Sequence, residues 1–315
     1  MRILITGATG CVAQYLTREL LARTDAHLVL LSRDAARIAV PPGAAGRVTL
    51  ASGRLEDPAS YGAALEGVTA AALVATAWGG PLAHATTVVG NAALADLLID
   101  RGCRHVVYFS SASVLLPDGS LNPVALDLGT DYIRTKHQLV AAMEPKAARA
   151  RISGVFPTIV MGGRSGPDPM PLSELAKLLV TIRRWHWLIA RVTAEGRFNI
   201  THAADIATIV RRLIEGAGAT GGAERHVAGL PPASAAAMIA EVLAAAGRRH
   251  RPLLRLTPRN VDWAIRAFRL QVTPWDRWCM ANPDQGYDRA ITPAAFGAPV
   301  AMPSLTEGLR MIGYR

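Results

Sequence analysis

Residues 3–10 read Ile-Leu-Ile-Thr-Gly-Ala-Thr-Gly, an apolar run that passes straight into a glycine turn and then into a helical pattern from Cys11. An apolar run without polar alternation is a strand covered on both faces. Glycines at 7 and 10 let the turn backbone approach a pyrophosphate that a side chain at either position would block. The helix that follows offers free N–H groups and a partial positive charge to the phosphates. Gly7, Thr9, Gly10, Cys11 and Val12 are therefore candidate cofactor-binding residues, with Ala13 small enough for close helix–strand packing.

The same rhythm continues. Apolar strand-like runs fall at about 2–6, 27–32, 48–52, 70–75, 105–110 and 151–156, and helical patterns at about 11–23, 58–66, 83–101 and 130–145. Alternation of this kind predicts an α/β fold, a Rossmann-type doubly wound parallel sheet. After residue 156 the pattern breaks at Pro157, Gly162-Gly163 and Gly166-Pro167-Asp168-Pro169. Further helices are expected from about Pro171 to near Trp187 and over 233–247, with a short strand and a helix between Arg197 and Glu215. The expected organisation is a dinucleotide-binding domain of residues 1–156 plus about 198–230. A smaller C-terminal substrate-binding lobe would take about 157–197 and 231–315.

Half of the 315 residues are apolar, enough for a substantial core. No uninterrupted apolar run approaches the roughly 20 residues that cross a bilayer, and Met1 leads directly into the first strand. The expected compartment is the cytoplasm, with no membrane partner. Cys11, Cys103 and Cys279 show no short paired spacing, which argues against a disulfide framework or a metal site. The net charge of +10 comes from arginines spread in ones and twos, densest at Arg183-Arg184 and Arg248-Arg249-His250-Arg251. No nucleic-acid-binding motif accompanies them, so a surface favouring anionic small molecules is expected rather than nucleic acid.

The second strand ends Leu30-Leu31-Ser32-Arg33, with Arg37 a turn further on. A cofactor with free ribose hydroxyls calls for an acid there, and a 2′-phosphate calls for a cation. Arg33 and Arg37 predict NADP(H) over NAD(H).

Tyr132 and Lys136 stand four residues apart in a chain with three lysines and six tyrosines. On a helix that spacing shares a face. A cation about 4 Å from a phenol, at an effective dielectric near 20, favours the phenolate by up to about 4 kcal/mol. Tyr132 is thereby expected to serve as general acid for ketone reduction or base for alcohol oxidation. Ser111 ends the run Val106-Val107-Tyr108-Phe109-Ser110-Ser111, at a strand's carboxyl end, where it can hydrogen-bond a carbonyl oxygen gaining charge.

With these motifs in hand, the chain resembles the extended short-chain dehydrogenase/reductase family, which includes NAD(P)-dependent epimerases and dehydratases. The resemblance rests on TGATG at 6–10, SSASV at 110–114, YIRTK at 132–136, FPTIVMGG at 156–163 and HAADIA at 202–207. It implies Ser111, Tyr132 and Lys136 as a catalytic trio, with Lys136 also holding the nicotinamide ribose. It implies further cofactor contacts at Arg54, Leu55, Ala75, Thr76, Pro157 and Ile159, and a homodimer through the helices at 83–101 and 130–145. Departures from the family pattern are Arg54 where an acid often touches adenine, Leu73-Val74-Ala75-Thr76, Val114-Leu115-Leu116, and Phe156-Pro157.

The stretch Ser111-Ala112-Ser113 has no carboxylate, which argues against a 4,6-dehydratase. Apolar segments at Trp78-Gly79-Gly80, Leu115-Leu116, Met161 and Trp185-His186-Trp187 point to a small, largely apolar ketone or aldehyde. Trp78, Ser113, Met161 and Trp185 are its candidate contacts. The main alternative is an NAD-dependent nucleotide-sugar epimerase, with Arg183, Arg184, Arg191 and Arg197 available for a diphosphate. The other is a non-catalytic NADP(H)-binding regulatory module.

Overall fold

The computed structural model describes residues 1–166, 168–216, 222–257, 259–262 and 271–314. Seven parallel strands form the central sheet. Six of them follow the runs read from the sequence: β1 (Arg2–Thr6), β2 (His27–Ser32), β3 (Val48–Ser52), β4 (Ala70–Leu73), β5 (His105–Phe109) and β6 (Arg151–Pro157). Four short strands follow, β7 (Ile159–Met161), β8 (Val192–Ala194), β9 (Arg197–Phe198) and β10 (Ile200–His202), before β11 (Ala223–Ala228) completes the sheet. The strand order is β11-β6-β5-β4-β1-β2-β3, parallel throughout. The expected doubly wound Rossmann-type sheet is what the chain forms. β11 escapes a search for apolar runs because Ala-Glu-Arg-His-Val-Ala is an edge strand, with Arg225 exposed and Glu224 buried in an ion pair with Arg151.

Alternate residues of each strand serve opposite faces. Leu4, Val29, Leu73, Val106, Ile152 and Phe156 belong to one core, which also takes Leu94 and Leu98 of α2 (Asn91–Asp100) and Leu139 and Val140 of α4 (Asp131–Met143). Ile3, Ile5, Leu28, Leu30, Val107 and Val155 belong to the other, with Leu16 and Leu20 of α1 (Cys11–Arg23) and Ile206 and Val210 of α7 (Ala203–Ile214). Burying a leucine or valine side chain contributes about 1.5–3 kcal/mol, so these two layers fix the sheet that aims the loops. A third core joins Met161, Ala176, Leu179, Ile200, Val242, Met302 and Leu309. It lies between β7, α5 (Glu174–Ile182), α8 (Ala235–Ala245) and the helix Leu305–Met311.

Three expected helices differ in form. Residues 58–66 make two tight turns, Pro58–Ser60 and Gly62–Leu65, because Gly62 interrupts the segment and Gly67 takes a left-handed backbone that ends it. The segment 83–101 opens with a wide turn, Ala85–Gly90, before α2 begins. The helix expected from Pro171 to near Trp187 starts at Glu174, capped by Ser173. It gives way at Arg183–Trp185 to a single turn, His186–Ile189. Pro167 of the loop before it lies outside the described residues.

Candidate active site

Strand order reverses between β1 and β4, the place where an open parallel sheet leaves a crevice at its carboxyl ends. A cleft of about 870 Å³ opens there. Its floor is the glycine turn. Gly7 has φ +67, and a Cβ on it would stand 2.9 Å from Ala75 Cα, so only glycine lets the turn nest against the end of β4. Gly10 lies at the N-terminus of α1, whose first turn carries no acidic residue to compete for an anion. Thr6 Oγ1 accepts from the Ala75 N–H at 3.0 Å, and Asn91 Nδ2 donates to the carbonyls of Ala75 (3.2 Å) and Thr87 (3.0 Å). Thr87 Oγ1 in turn accepts from the Ala77 N–H at 3.0 Å, a contact at the wide turn before α2. Thr6, Thr87 and Asn91 therefore hold the cleft wall, although none has a sequence signature beyond being a buried polar residue.

Gly7, Thr9, Gly10, Cys11, Val12, Arg33, Arg54, Leu55, Ala75, Thr76, Lys136, Pro157 and Ile159 all line this cleft, as do Ser111, Tyr132 and Trp78. Arg37 does not; it sits exposed on a tight turn, Ala35–Arg37, whose cap, Asp34, accepts from the Ala36 N–H. Met161 is fully buried in the third core and has no surface to offer a substrate. Trp185 stands 44% exposed outside the cleft. Ser113 is off the wall as well, but its N–H donates to Ser111 Oγ at 3.3 Å and so orients that hydroxyl. Glu56, Thr86 and Lys177 also line the cleft and escape a motif search. Glu56 accepts from Thr86 Oγ1 and lies 3.7 Å from Arg54 Nε.

Thr130 caps α4, and the helix places Tyr132 and Lys136 one turn apart with Lys136 Nζ 5.8 Å from the phenol ring centre. The Ser111 side chain faces the phenol and acts to lower its pKa. Lys136 is 2% exposed and donates from Nζ to the Phe109 carbonyl at 2.7 Å. Trp78 stacks on Tyr132 with ring centres 4.7 Å apart and 14° between planes, while remaining 65% exposed. Far along the chain, Tyr287 donates to the carbonyls of Ala112 (2.5 Å) and Leu115 (3.0 Å), bracing the turn that carries Ser111.

The electrostatics differ from the sequence expectation. Burial pushes the Tyr132 phenol up to about 12, against a smaller lowering from Ser111. Burial also lowers the Lys136 amine to about 7. The ammonium that was to acidify the phenol is itself expensive in this dry wall, so desolvation outranks attraction between the pair. At neutral pH the phenol is protonated, the form required of a proton donor. Cys11, at the start of α1, has its thiol raised to about 12, chiefly by burial.

Residues 7–160 match the NAD(P)H-binding family. The matched segment is similar to an NAD(P)H-binding domain over the glycine turn, the sheet strands β2–β6 and the Tyr132–Lys136 helix. Solved structures similar to the whole chain share its fold. The Bordetella bronchiseptica enzyme WbmG in complex with NAD superposes with a TM-score of 0.71 at 16% identity, covering 100% of this chain and 93% of that one. DesIV, a dTDP-glucose 4,6-dehydratase from Streptomyces venezuelae, gives 0.66 at 18% identity over 100% and 96% of the two chains. A UDP-galactose 4-epimerase gives 0.65 at 16% identity over 100% and 98%. Comparison with curated protein sequences finds no match. Within the matched segment, the glycine turn, the free N–H groups of α1 and the space above Ala75 suit a dinucleotide, a fit visible in the cradle that a Cβ at Gly7 would fill.

Proposed function

We propose that this chain is a nicotinamide-dependent oxidoreductase working on a carbon that carries a hydroxyl or carbonyl, with Tyr132 moving the proton. The observation that carries the reading is the convergence of Ser111, Tyr132 and Lys136 on one wall of a cleft whose opposite end is the Gly7–Gly10 turn. When bound, the dinucleotide supplies the hydride donor or acceptor. Gly7, Gly10, Cys11 and Val12 would hold its pyrophosphate, Ala75 and Thr76 its middle, and Lys136 the ribose beside the reacting carbon. Tyr132, kept protonated by burial, gives its proton to a carbonyl oxygen as charge develops on it. Ser111 donates to the same oxygen, its Oγ steadied by the Ser113 N–H. Lys136, its amine lowered to about 7 by burial, would stabilise the resulting Tyr132 phenolate when the amine already carries its proton.

The walls favour reduction of a small, largely apolar ketone or aldehyde. Trp78, Leu82, Ile159, Leu172 and Leu175 surround the mouth. Of the four arginines that might have bound a diphosphate, none lines the cleft. Arg197 is engaged with Asp284 and Asp288 instead. The solved neighbours support a second reading, an NAD-dependent nucleotide-sugar epimerase, since WbmG has also been solved with NAD and UDP and a UDP-galactose 4-epimerase spans the whole chain. Lys177, paired with Glu174 at 2.7 Å, is the cleft's candidate for a substrate phosphate in that reading. For the cofactor we favour NADP(H), because Arg33 lines the adenosine end and forms no ion pair among the described residues. The neighbouring structures carry NAD.

Incubating the protein with NADPH or NADH and a carbonyl panel, and in parallel with UDP-sugars and NAD, separates the readings. Net loss of reduced-nicotinamide absorbance supports the reductase. Interconversion of UDP-sugars without net cofactor consumption replaces it with the epimerase. Cofactor binding with neither reaction removes the enzymatic reading in favour of a binding module. Tighter binding of NAD(H) than NADP(H) overturns the role given to Arg33.

A further inference from the structure

The lobe carries a surface that the site does not use. Leu178 and Val180 of α5, Trp185, Trp187 and Leu188 beyond it, and Leu253 with Leu254 are exposed by 44–79% of their area. The segment that follows Leu188 and the one that carries Leu253 and Leu254 are joined. The Arg251 N–H donates to the Ala190 carbonyl at 3.0 Å, and the Leu253 N–H to the Arg191 carbonyl at 2.7 Å. The strand Leu254–Leu256 pairs with β8, so the two segments lie side by side. Monomeric surfaces seldom expose such a group of large apolar side chains without a partner.

Charge sits among them. Residues 171–194 and 246–257 hold seven arginines and one lysine against a single carboxylate, Glu174, which Lys177 occupies. Arg255 pairs with Glu195. Among the described residues, Arg183, Arg184, Arg191, Arg248, Arg249 and Arg251 have no carboxylate partner, and Arg184 lies over the Trp185 ring at 5.6 Å.

We propose that this face docks on the surface of an anionic phospholipid bilayer. Tryptophan and leucine would enter the headgroup–acyl boundary and the arginines would meet lipid phosphates. Tryptophan suits that boundary because its ring is apolar and its N–H polar. Nucleic acid would satisfy the arginines but strand Leu178, Leu188 and Leu253 in water. A second copy of the chain would bury the leucines but set six unpaired arginines against their own images. A lipid surface satisfies both sets. No helix among the described residues is long and apolar enough to cross a membrane, so the association is peripheral. The sequence expectation of no membrane partner rested on the lack of a spanning segment and did not test this.

The test is sedimentation of the full chain with phosphatidylcholine vesicles and with mixed phosphatidylcholine/phosphatidylglycerol vesicles. Co-sedimentation with the mixed vesicles only, weakening as salt is raised, is the expected result. Each arginine removed should weaken partition by about fivefold, so R248E/R249E should lose at least tenfold. W187A/L253S should lose binding too, and both double variants should keep wild-type NADPH affinity, since none of these residues lines the cleft. Trp187→Phe should remove most of a blue shift in tryptophan emission on vesicle binding. Failure to sediment, equal sedimentation with neutral vesicles, or variants that sediment like wild type would each overturn the proposal. So would a concentration-dependent dimer, or binding to duplex DNA, that the same variants abolish.

Discussion

Lys136→Met should make this protein more stable at neutral pH while disabling it. The amine is buried, and its one hydrogen bond is to a neutral carbonyl. Moving its pKa from 10.5 to about 7, at about 1.4 kcal/mol per pH unit, corresponds to a penalty on the order of 5 kcal/mol for carrying the charge into the fold. Below pH 7 the amine is protonated in both states and the folded protein bears the whole penalty. Between about 7 and 10.5 the unfolded chain keeps a proton that the folded chain has lost, so stability rises with pH. Above that window both states are neutral and the penalty is gone. Methionine removes the titration but leaves the Phe109 carbonyl without its donor, a loss of about 1–3 kcal/mol. The net expectation is a variant about 2–4 kcal/mol more stable than wild type at pH 6. The gain should shrink by about 1.4 kcal/mol per pH unit above 7 and change sign between about pH 8.5 and 10. Urea unfolding of both proteins at several pH values between 6 and 9.5 measures this, and the difference cancels groups common to both. Tyr132, raised to about 12, contributes an opposite slope only above pH 10. Parallel stability–pH curves for wild type and variant across 7–9.5 would refute the reasoning.

Tyr132→Phe should lower turnover by about 10²–10⁴-fold, the usual worth of a positioned proton donor. NADPH affinity measured by fluorescence should hold, and a loss of turnover within a few-fold would remove Tyr132 from its role. Gly7→Ala forces an alanine into φ +67 and its Cβ to 2.9 Å from Ala75 Cα. A destabilisation of at least about 1–2 kcal/mol for the backbone alone, with at least tenfold weaker dinucleotide binding, should appear in thermal melts and titrations. Cys11, protonated through the physiological range by burial, should react with iodoacetamide far more slowly than a free thiol of pKa about 8.5 at pH 8. Rapid labelling at that position, read by mass spectrometry, would contradict the burial.

The fold was legible because both-faces-buried strands announce themselves as unbroken apolar runs. Ile3–Ile5, Leu28–Leu31 and Val106–Phe109 could not be anything that faces water. The glycine turn and the Tyr132–Lys136 spacing were legible for a similar reason: local geometry fixes what they can do, whether or not the rest of the chain is known. Other features depend on residues remote in sequence. The edge strand Ala223–Ala228 reads as polar and becomes a strand only because β6 offers it a partner. Tyr287 braces the Ser111 turn across 175 residues, and Asn91 ties the ends of β4 and the wide turn together. Met161 reads as one of the apolar residues facing a substrate, yet tertiary packing buries it in the third core. Trp185 reads as an aromatic wall and emerges in solvent. The charge states of Tyr132 and Lys136 depend most on the tertiary structure. Spacing brought them together, but the free energy of ionising either depends on how much water the surrounding walls exclude, which no local pattern encodes.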